Sequence, residues 1–194
     1  MATPDAPCAP DTGVDIVTQP YRLFFALWPD SELRDRLVTL AHEARRHCGG
    51  RATPPDKLHL TLAFLGEAGA AQAESLTAAT HRLCMAPGTW RLDHGGHFRG
   101  GGIVWLGGDD GAETLTALHR RLAALAEAAA GLSVPSDRPF RPHVTLRRRA
   151  KPPPVAWPEV TLDWHYRRVA LVASGQRDGQ HRYRTLAVSE TASG

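Results

Sequence analysis

The chain has 194 residues, 42% of them hydrophobic and 22% charged, enough for one generous domain with a real core. No apolar run approaches the roughly 18 residues a membrane helix needs, and the opening residues lack the basic and apolar regions of a secretory signal. A formal net charge of +3 leans only modestly toward an anionic partner, and three cysteines without a CxxC spacing fit reduced thiols in a cytoplasm better than a disulfide frame.

Residues 1–19, rich in Pro, Asp, Ala and Thr without periodicity, are expected to form a mobile tail ahead of a single domain over residues 20–190. Residues 21–28 are aromatic and apolar and predict a strand ended by Pro29. Asp30 or Ser31 then caps a helix with Leu33, Leu37, Leu40, Ala41 and Ala44 at helical spacing, closed by Gly49 and Gly50. A turn over residues 51–56 delivers the chain into a strand over 58–66. An Ala-rich helix follows from about 70 to 84, stopped by Pro87 and Gly88. Residues 89–94 and 102–107 read as paired strands joined by a flexible Gly-rich connection. The clearest helix spans 112–130, with Leu115, Leu118, Leu122 and Leu125 as its buried stripe and Gly131 at its end. Turn signals at Pro135, Asp137 and Pro139 precede a short strand at 142–146. Prolines 152–154 and 158 mark a surface connection, residues 160–174 read as one long strand, and 183–188 as its hairpin partner. Such alternation implies an α+β fold with helices covering antiparallel sheets.

Two of these strands carry the same pattern. In residues 58–66, Leu58, Leu60 and Leu62 face one side while His59 and Thr61 share the other, about 7 Å apart at a rise of about 3.3 Å per residue. In residues 142–146, His143 and Thr145 again share a face and Val144 and Leu146 take the other. With ten histidines in the chain, two chance copies of His-x-Thr-Leu have odds of roughly a few in a thousand. If the two halves pack face to face, the motif strands converge across a groove.

Two imidazoles and two hydroxyls on a common cleft suit in-line displacement at phosphorus. One neutral imidazole takes a proton from the attacking oxygen, and the other, as imidazolium, gives one to the leaving oxygen. An unperturbed pKa near 6.5 lets one histidine of each kind coexist near neutrality. The threonine hydroxyls can donate to the non-bridging oxygens as charge develops.

The segments Leu58-His59-Leu60-Thr61-Leu62-Ala63-Phe64-Leu65-Gly66 and Arg141-Pro142-His143-Val144-Thr145-Leu146 resemble the paired signature of the 2H phosphoesterase superfamily. More closely, the chain from about residue 21 to 188 resembles the bacterial and archaeal RNA 2',3'-cyclic phosphodiesterases, historically called 2'-5' RNA ligases. The residues that open at Arg22, the Val104-Trp105-Leu106-Gly107 strand and the closing strand pair share in that likeness. The resemblance implies a bilobal α+β fold, two antiparallel sheets flanked by helices and facing each other across a central groove. It implies hydrolysis of an RNA-terminal 2',3'-cyclic phosphate to a 2'-phosphomonoester, with RNA ends as partners, no cofactor, and a monomer. By resemblance His59 is the general acid that protonates O3', His143 the base that activates water, and Thr61 and Thr145 the phosphate-binding hydroxyls. Phe64 and Arg148 match an aromatic and an arginine near the nucleotide. Strict alternation puts both on the wrong face, five residues after their histidines, unless a bulge redirects them; Arg147 has the parity of His143 and competes with Arg148.

Other features read more plainly. The run Arg147, Arg148, Arg149 and Lys151 is a solvated face or an RNA contact. His94 and His97 are spaced like loose metal ligands, yet no HExxH or cysteine pair accompanies them, so no metal site is expected. His42, His47, His81 and His119 read as surface or packing residues on helices, and Trp105 and Trp157 as structural in preference to base-stacking. Two other readings stand beside hydrolysis: an RNA-binding module that grips a phosphate without turnover, and ligation through a 2'-5' linkage by the same groups.

Overall fold

The computed structural model describes residues 21–135, 139–154, 157–177 and 180–192. The expected tail at 1–19 lies outside them, as do Asp137 and Arg138. Strand β1 (Tyr21–Leu27) alternates Leu23, Phe25 and Leu27 into the main core with Phe24 and Ala26 on the opposite face. Helix α1 (Ser31–Cys48) begins where Asp30 Oδ1 accepts from the Leu33 amide at 2.8 Å, and it closes at Gly49, in the left-handed half of backbone space at φ 62°. Its buried positions include Leu33, Leu37, Leu40, Ala41 and Ala44, as the spacing predicts.

The segment expected as a turn contains a short strand, β2 (Arg51–Ala52), and a 3-10 turn (Pro55–Lys57). Next come β3 (Leu60–Ala68) and α2 (Ala70–His81). The second helix stops three residues before its predicted end. There β4 (Cys84–Met85) is captured in parallel by β12 (Glu190–Thr191) near the chain's end, a tertiary pairing that local sequence does not announce. Strands β5 (Gly88–Leu92), β6 (His94–Phe98) and β7 (Ile103–Gly107) precede α3 (Ala112–Ala130), whose bounds and stripe match expectation except that Leu125 is only partly buried. The chain ends with β8 (Val144–Arg148), β9 (Leu162–Tyr166), β10 (Ala170–Arg177) and β11 (Gln180–Val188).

Two strand pairings differ from the sequence reading. β5 does not pair with β7. The Gly-rich segment itself forms β6, β7's partner, because the Trp105 indole lies across Gly96, where a Cβ would stand 2.1 Å from the ring. The long strand expected over 160–174 is two strands in two sheets: β9 pairs with β5, burying Trp90 against Trp164, and β10 joins β1 and β11. The exposed Arg167 and Arg168 sit at the break.

The α+β expectation holds. The main sheet runs β11-β10-β1-β3-β8-β7-β6, with β2 also on β8. Helices α2 and α3 pack on the β11-to-β3 half, and α1 on β8 and β2. The two halves are joined at a single antiparallel residue pair, Leu60 opposite Val144. Among the described residues no helix is long and apolar enough to cross a membrane.

Candidate active site

The joining pair determines where the motifs meet. An antiparallel pair has a local twofold axis, and residues directly opposite share a face. Leu60 and Val144 are fully buried together, so their neighbours His59, Thr61, His143 and Thr145 all project from the other face, each motif the twofold image of the other. Two small strands meeting at their first residues thus gather groups 84 positions apart in sequence.

The likeness extends to atoms. Nδ1 of His59 donates to the Lys57 carbonyl at 2.8 Å, and Nδ1 of His143 to the Arg141 carbonyl at 2.8 Å, in both cases two residues back. Each ring is thereby held in the tautomer whose proton is on Nδ1 when neutral, which leaves Nε2 for chemistry. Nε2 of His59 lies 2.9 Å from Thr61 Oγ1; among the described residues His143 Nε2 has no matching bond.

Both motif strands are bulged at the same place. In β3 the register against β1 skips a residue, so that Ala26 faces Thr61 while Phe24 faces Phe64. Leu62 and Ala63 are both buried, and Phe64 emerges, 41% exposed, on the histidine face. In β8 the register against β7 skips between Trp105, opposite Thr145, and Val104, opposite Arg147. Leu146 and Arg147 are buried and Arg148 emerges. The bulges reverse the parity that simple alternation assigns to Phe64 and Arg148. Each has outside support: the Leu62 carbonyl accepts from His119 Nδ1 of α3 at 2.7 Å, and the Leu146 carbonyl from the Thr53 amide at 2.8 Å. Arg147, the competitor, is 2% exposed and donates to the carbonyls of Ala41, Gly49 and Gly50 at 2.5 to 2.6 Å, at the C-terminal end of α1. It faces away from the histidines.

Aromatic residues surround both imidazoles. Phe24, Trp28 and Tyr183 stand 5.1, 5.2 and 5.5 Å from the His59 ring, and Phe98 and Trp105 stand 5.0 and 6.4 Å from that of His143. The Arg141 guanidinium lies 4.5 Å over Trp105, and that of Arg22 5.6 Å over Phe64. Sequence reading passed over Phe24, Trp28, Tyr183 and Phe98. Only Phe24 gave a signal, as a bulky aromatic on the face of β1 opposite the leucines.

The electrostatics depart from the simple expectation. Burial pushes His59 down to about 4, against the donated hydrogen bond to Lys57; the charges of Arg148 and His143 depress it further. Burial also lowers His143, again with its main-chain bond opposing and with Arg148 and Arg141 adding to the depression. In the free protein both imidazoles are therefore neutral at pH 7, and protonating either calls for a compensating anion. Arg148 acts on both rings and so lies between them in effect, whereas Arg141 acts on His143.

The remaining candidates are engaged in packing or in bonds of their own. His94 Nδ1 is 2.8 Å from Asp93, and His97 Nε2 donates to the Ala150 carbonyl. Trp105 is 2% exposed and Trp157 is packed against the core. A concavity of about 560 Å³, lined by Arg36, Glu43, Trp157 and Glu159 among others, contains neither histidine.

A pair of twofold-related His-x-Thr strands in an α+β frame defines a class, and the comparisons agree on it. Residues 29–177 match the model of the 2'-5' RNA ligase superfamily, and the chain belongs to that family, within the 2H phosphoesterases. It is 34% identical to the RNA 2',3'-cyclic phosphodiesterase of Escherichia coli strain K12, over 88% of this chain and 96% of that one. The protein of the same name from Thermus thermophilus is 37% identical, over 79% of this chain and 81% of that one. In three dimensions the chain is similar to apo LigT of E. coli, with a TM-score of 0.72 at 31% identity, covering 91% of this chain and 100% of that one. LigT complexed with 3'-AMP gives a TM-score of 0.70 at 34% identity, over 88% and 97%.

Proposed function

We propose that this protein hydrolyses the 2',3'-cyclic phosphate at an RNA end to a 2'-phosphomonoester, by proton transfer through His59 and His143. The observation that carries the reading is the twofold pair of histidines on one face, each Nδ1 tied to main chain and each Nε2 turned away from it, that of His59 toward the Thr61 hydroxyl. The activity of its relatives supports the substrate class.

In this scheme water attacks phosphorus in line with O3'. Its proton passes to Nε2 of neutral His143 as the P–O3' bond breaks, and O3' takes the Nε2 proton of protonated His59. One water is consumed and one ring opened. His59 ends neutral and His143 protonated, and exchange with solvent resets the pair. Thr61 and Thr145 donate to the non-bridging oxygens, and Arg148 offsets the anion's growing charge. The phosphate in turn supplies the negative charge that lifts His59 toward a usable pKa. Phe64 offers a ring face to the base. The division of labour between the histidines follows the family resemblance, and no cofactor takes part. The free thiols of Cys48 and Cys84 accord with action in a reducing cytoplasm.

The test is incubation with an oligonucleotide ending in 2',3'-cyclic phosphate, with the product identified by phosphorus NMR. A 2'-phosphate is expected. Binding without turnover would reduce the protein to a phosphate-gripping module, and a 3'-phosphate would reverse how the ribose lies.

A further inference from the structure

Three aromatic side chains on the open face of the main sheet are not used by the scheme above, and all three converge on one imidazole. Phe24 projects from β1, Trp28 follows that strand, and Tyr183 comes from β11, separated from β3 by β1 and β10. Tyr183 leans across that gap, packed against Phe24 and Ala26 of β1 and Ala170 and Val172 of β10. The rings touch one another as well as the histidine. Tyr183 stands 5.1 Å from Phe24 and 6.3 Å from Trp28, so four rings form one closed cluster.

The orientations differ: Phe24 is tilted 34° to the imidazole, Trp28 52°, and the Tyr183 ring is perpendicular to it at 88°. Three walls at unlike angles leave the ring no free rotation, and the main-chain bond from Nδ1 removes what is left. His143 has no equal enclosure. Among the described residues two rings attend it, with Trp105 already at 6.4 Å and occupied by Arg141.

We infer that Phe24, Trp28 and Tyr183 are positioning residues that hold His59 in its reactive orientation and stabilise its imidazolium through their π faces. The inference rests on His59 moving a proton in the reaction, and it holds whether His59 gives the proton first or takes it. The π clouds present partial negative charge to a cation without introducing a carboxylate, which would lock the proton in place. The cationic groups around His59 pull the other way. Arg148 from β8 and protonated His143 both oppose a second positive charge, and Lys57 contributes an ammonium 5.9 Å from the Tyr183 ring centre as well as the carbonyl that binds Nδ1. Asp56 is the acidic group felt at Tyr183. Among the described residues the polar contact at Nε2 is the neutral hydroxyl of Thr61. The rings bury the imidazole and so disfavour its charge, while their π clouds offset part of that cost.

The test uses Tyr183→Leu, Tyr183→Phe and Trp28→Leu in the full chain, after a melting curve confirms that each folds. NMR titration of the His59 Cε1 proton reads its pKa directly and needs no substrate, so it stands even if turnover on cyclic phosphate fails. Leu keeps the wall apolar and the imidazole dry, so losing one π cloud lowers that pKa by about half a pH unit to one, the scale of a partly exposed cation–π contact. Where turnover is present, kcat falls about three- to tenfold with KM little changed, and Tyr183→Phe restores both readouts because it keeps the ring. Should Tyr183→Leu unfold, Trp28→Leu carries the same expectation. The inference is overturned if the titration of His59 is the same in the folded Leu variants as in wild type. It is overturned equally if Tyr183→Phe behaves like Tyr183→Leu, which would make the hydroxyl and not the ring the active part.

Discussion

Arg147 and Arg148 are adjacent, equally charged, and expected to fail in opposite ways. In Arg147→Met the side chain still fills its space but loses three charge-assisted hydrogen bonds at the end of α1. Each such bond is worth about 1.5–3 kcal/mol, but the sum overstates the loss. Gly49 and Gly50 are exposed, so water can reach their carbonyls, and removing a buried guanidinium recovers part of its desolvation. The Ala41 carbonyl, inside α1, keeps the helical bond from the Arg45 amide and loses only its second donor. A net cost of about 2 kcal/mol follows, the scale of one charge-assisted hydrogen bond, or about 4–8 °C in Tm for a chain of this length. Arg148→Met removes an exposed side chain with no ion pair among the described residues, so Tm moves by about 2 °C or less. It also removes the cation that serves both histidines, and kcat/KM on a cyclic phosphate end falls about 100-fold. Thermal melts and initial rates on the two variants suffice. A stable Arg147→Met with crippled kinetics, beside an unstable Arg148→Met with intact kinetics, would refute the bulge in β8 and the assignment built on it.

Substitution of either His59 or His143 by Ala is expected to cost about 10²- to 10⁴-fold in kcat; a variant that keeps near-wild-type turnover removes that histidine from the chemistry. Because both imidazoles are depressed, with His59 at about 4, the free enzyme holds the required acid only in acidic solution. The optimum of kcat/KM should therefore fall between about pH 4 and 6.5, and that of kcat should lie higher once the bound anion raises both groups. A kcat/KM profile that peaks above neutrality contradicts this electrostatic picture. Activity should survive EDTA; loss in chelator, reversed by a divalent ion, would replace the acid–base scheme with a metal-assisted one. His119→Ala should raise KM severalfold without touching substrate, since it withdraws the donor from the Leu62 carbonyl at the bulge that turns Phe64 outward. An unchanged KM would separate that bulge from substrate binding.

The elements built from local pattern were legible in the sequence. Helix α3 runs over the predicted residues because its leucine stripe and the terminal Gly131, at φ 63°, both act locally. The elements decided by distant partners were not legible. β4 exists because the last residues of the chain pair with it, and β6 exists because Gly96 makes room for Trp105. Residues 160–174 divide because Val169 is held by Ser189, whose hydroxyl accepts from the Val169 amide at 3.0 Å, while the stretch before it belongs to β5. The site shows the same division. Period-two alternation correctly put each histidine with its threonine, and it failed at the fifth residue. A bulge is an extra residue relative to a neighbouring strand, so a single strand's sequence does not contain it.

The twofold arrangement also exposes a problem that the sequence motif conceals. Two identical motifs related by symmetry would give two equivalent histidines, and a proton relay needs one donor and one acceptor. Symmetry is broken both within the motif strands and around them. Thr61 reaches Nε2 of His59, whereas among the described residues His143 has no such bond. Arg141 is laid on Trp105 beside His143, while its counterpart Lys57 stands over Tyr183 beside His59. At the fifth position one motif offers the Phe64 ring and the other the Arg148 cation, which depresses both imidazoles. In the proposed scheme each histidine thus meets the same phosphate from a different surrounding, built by the motif strands together with β1, β6, β7 and β11. The scheme takes its reacting groups in duplicate from the motif, and the unlike surroundings distinguish the histidine that gives a proton from the one that receives it.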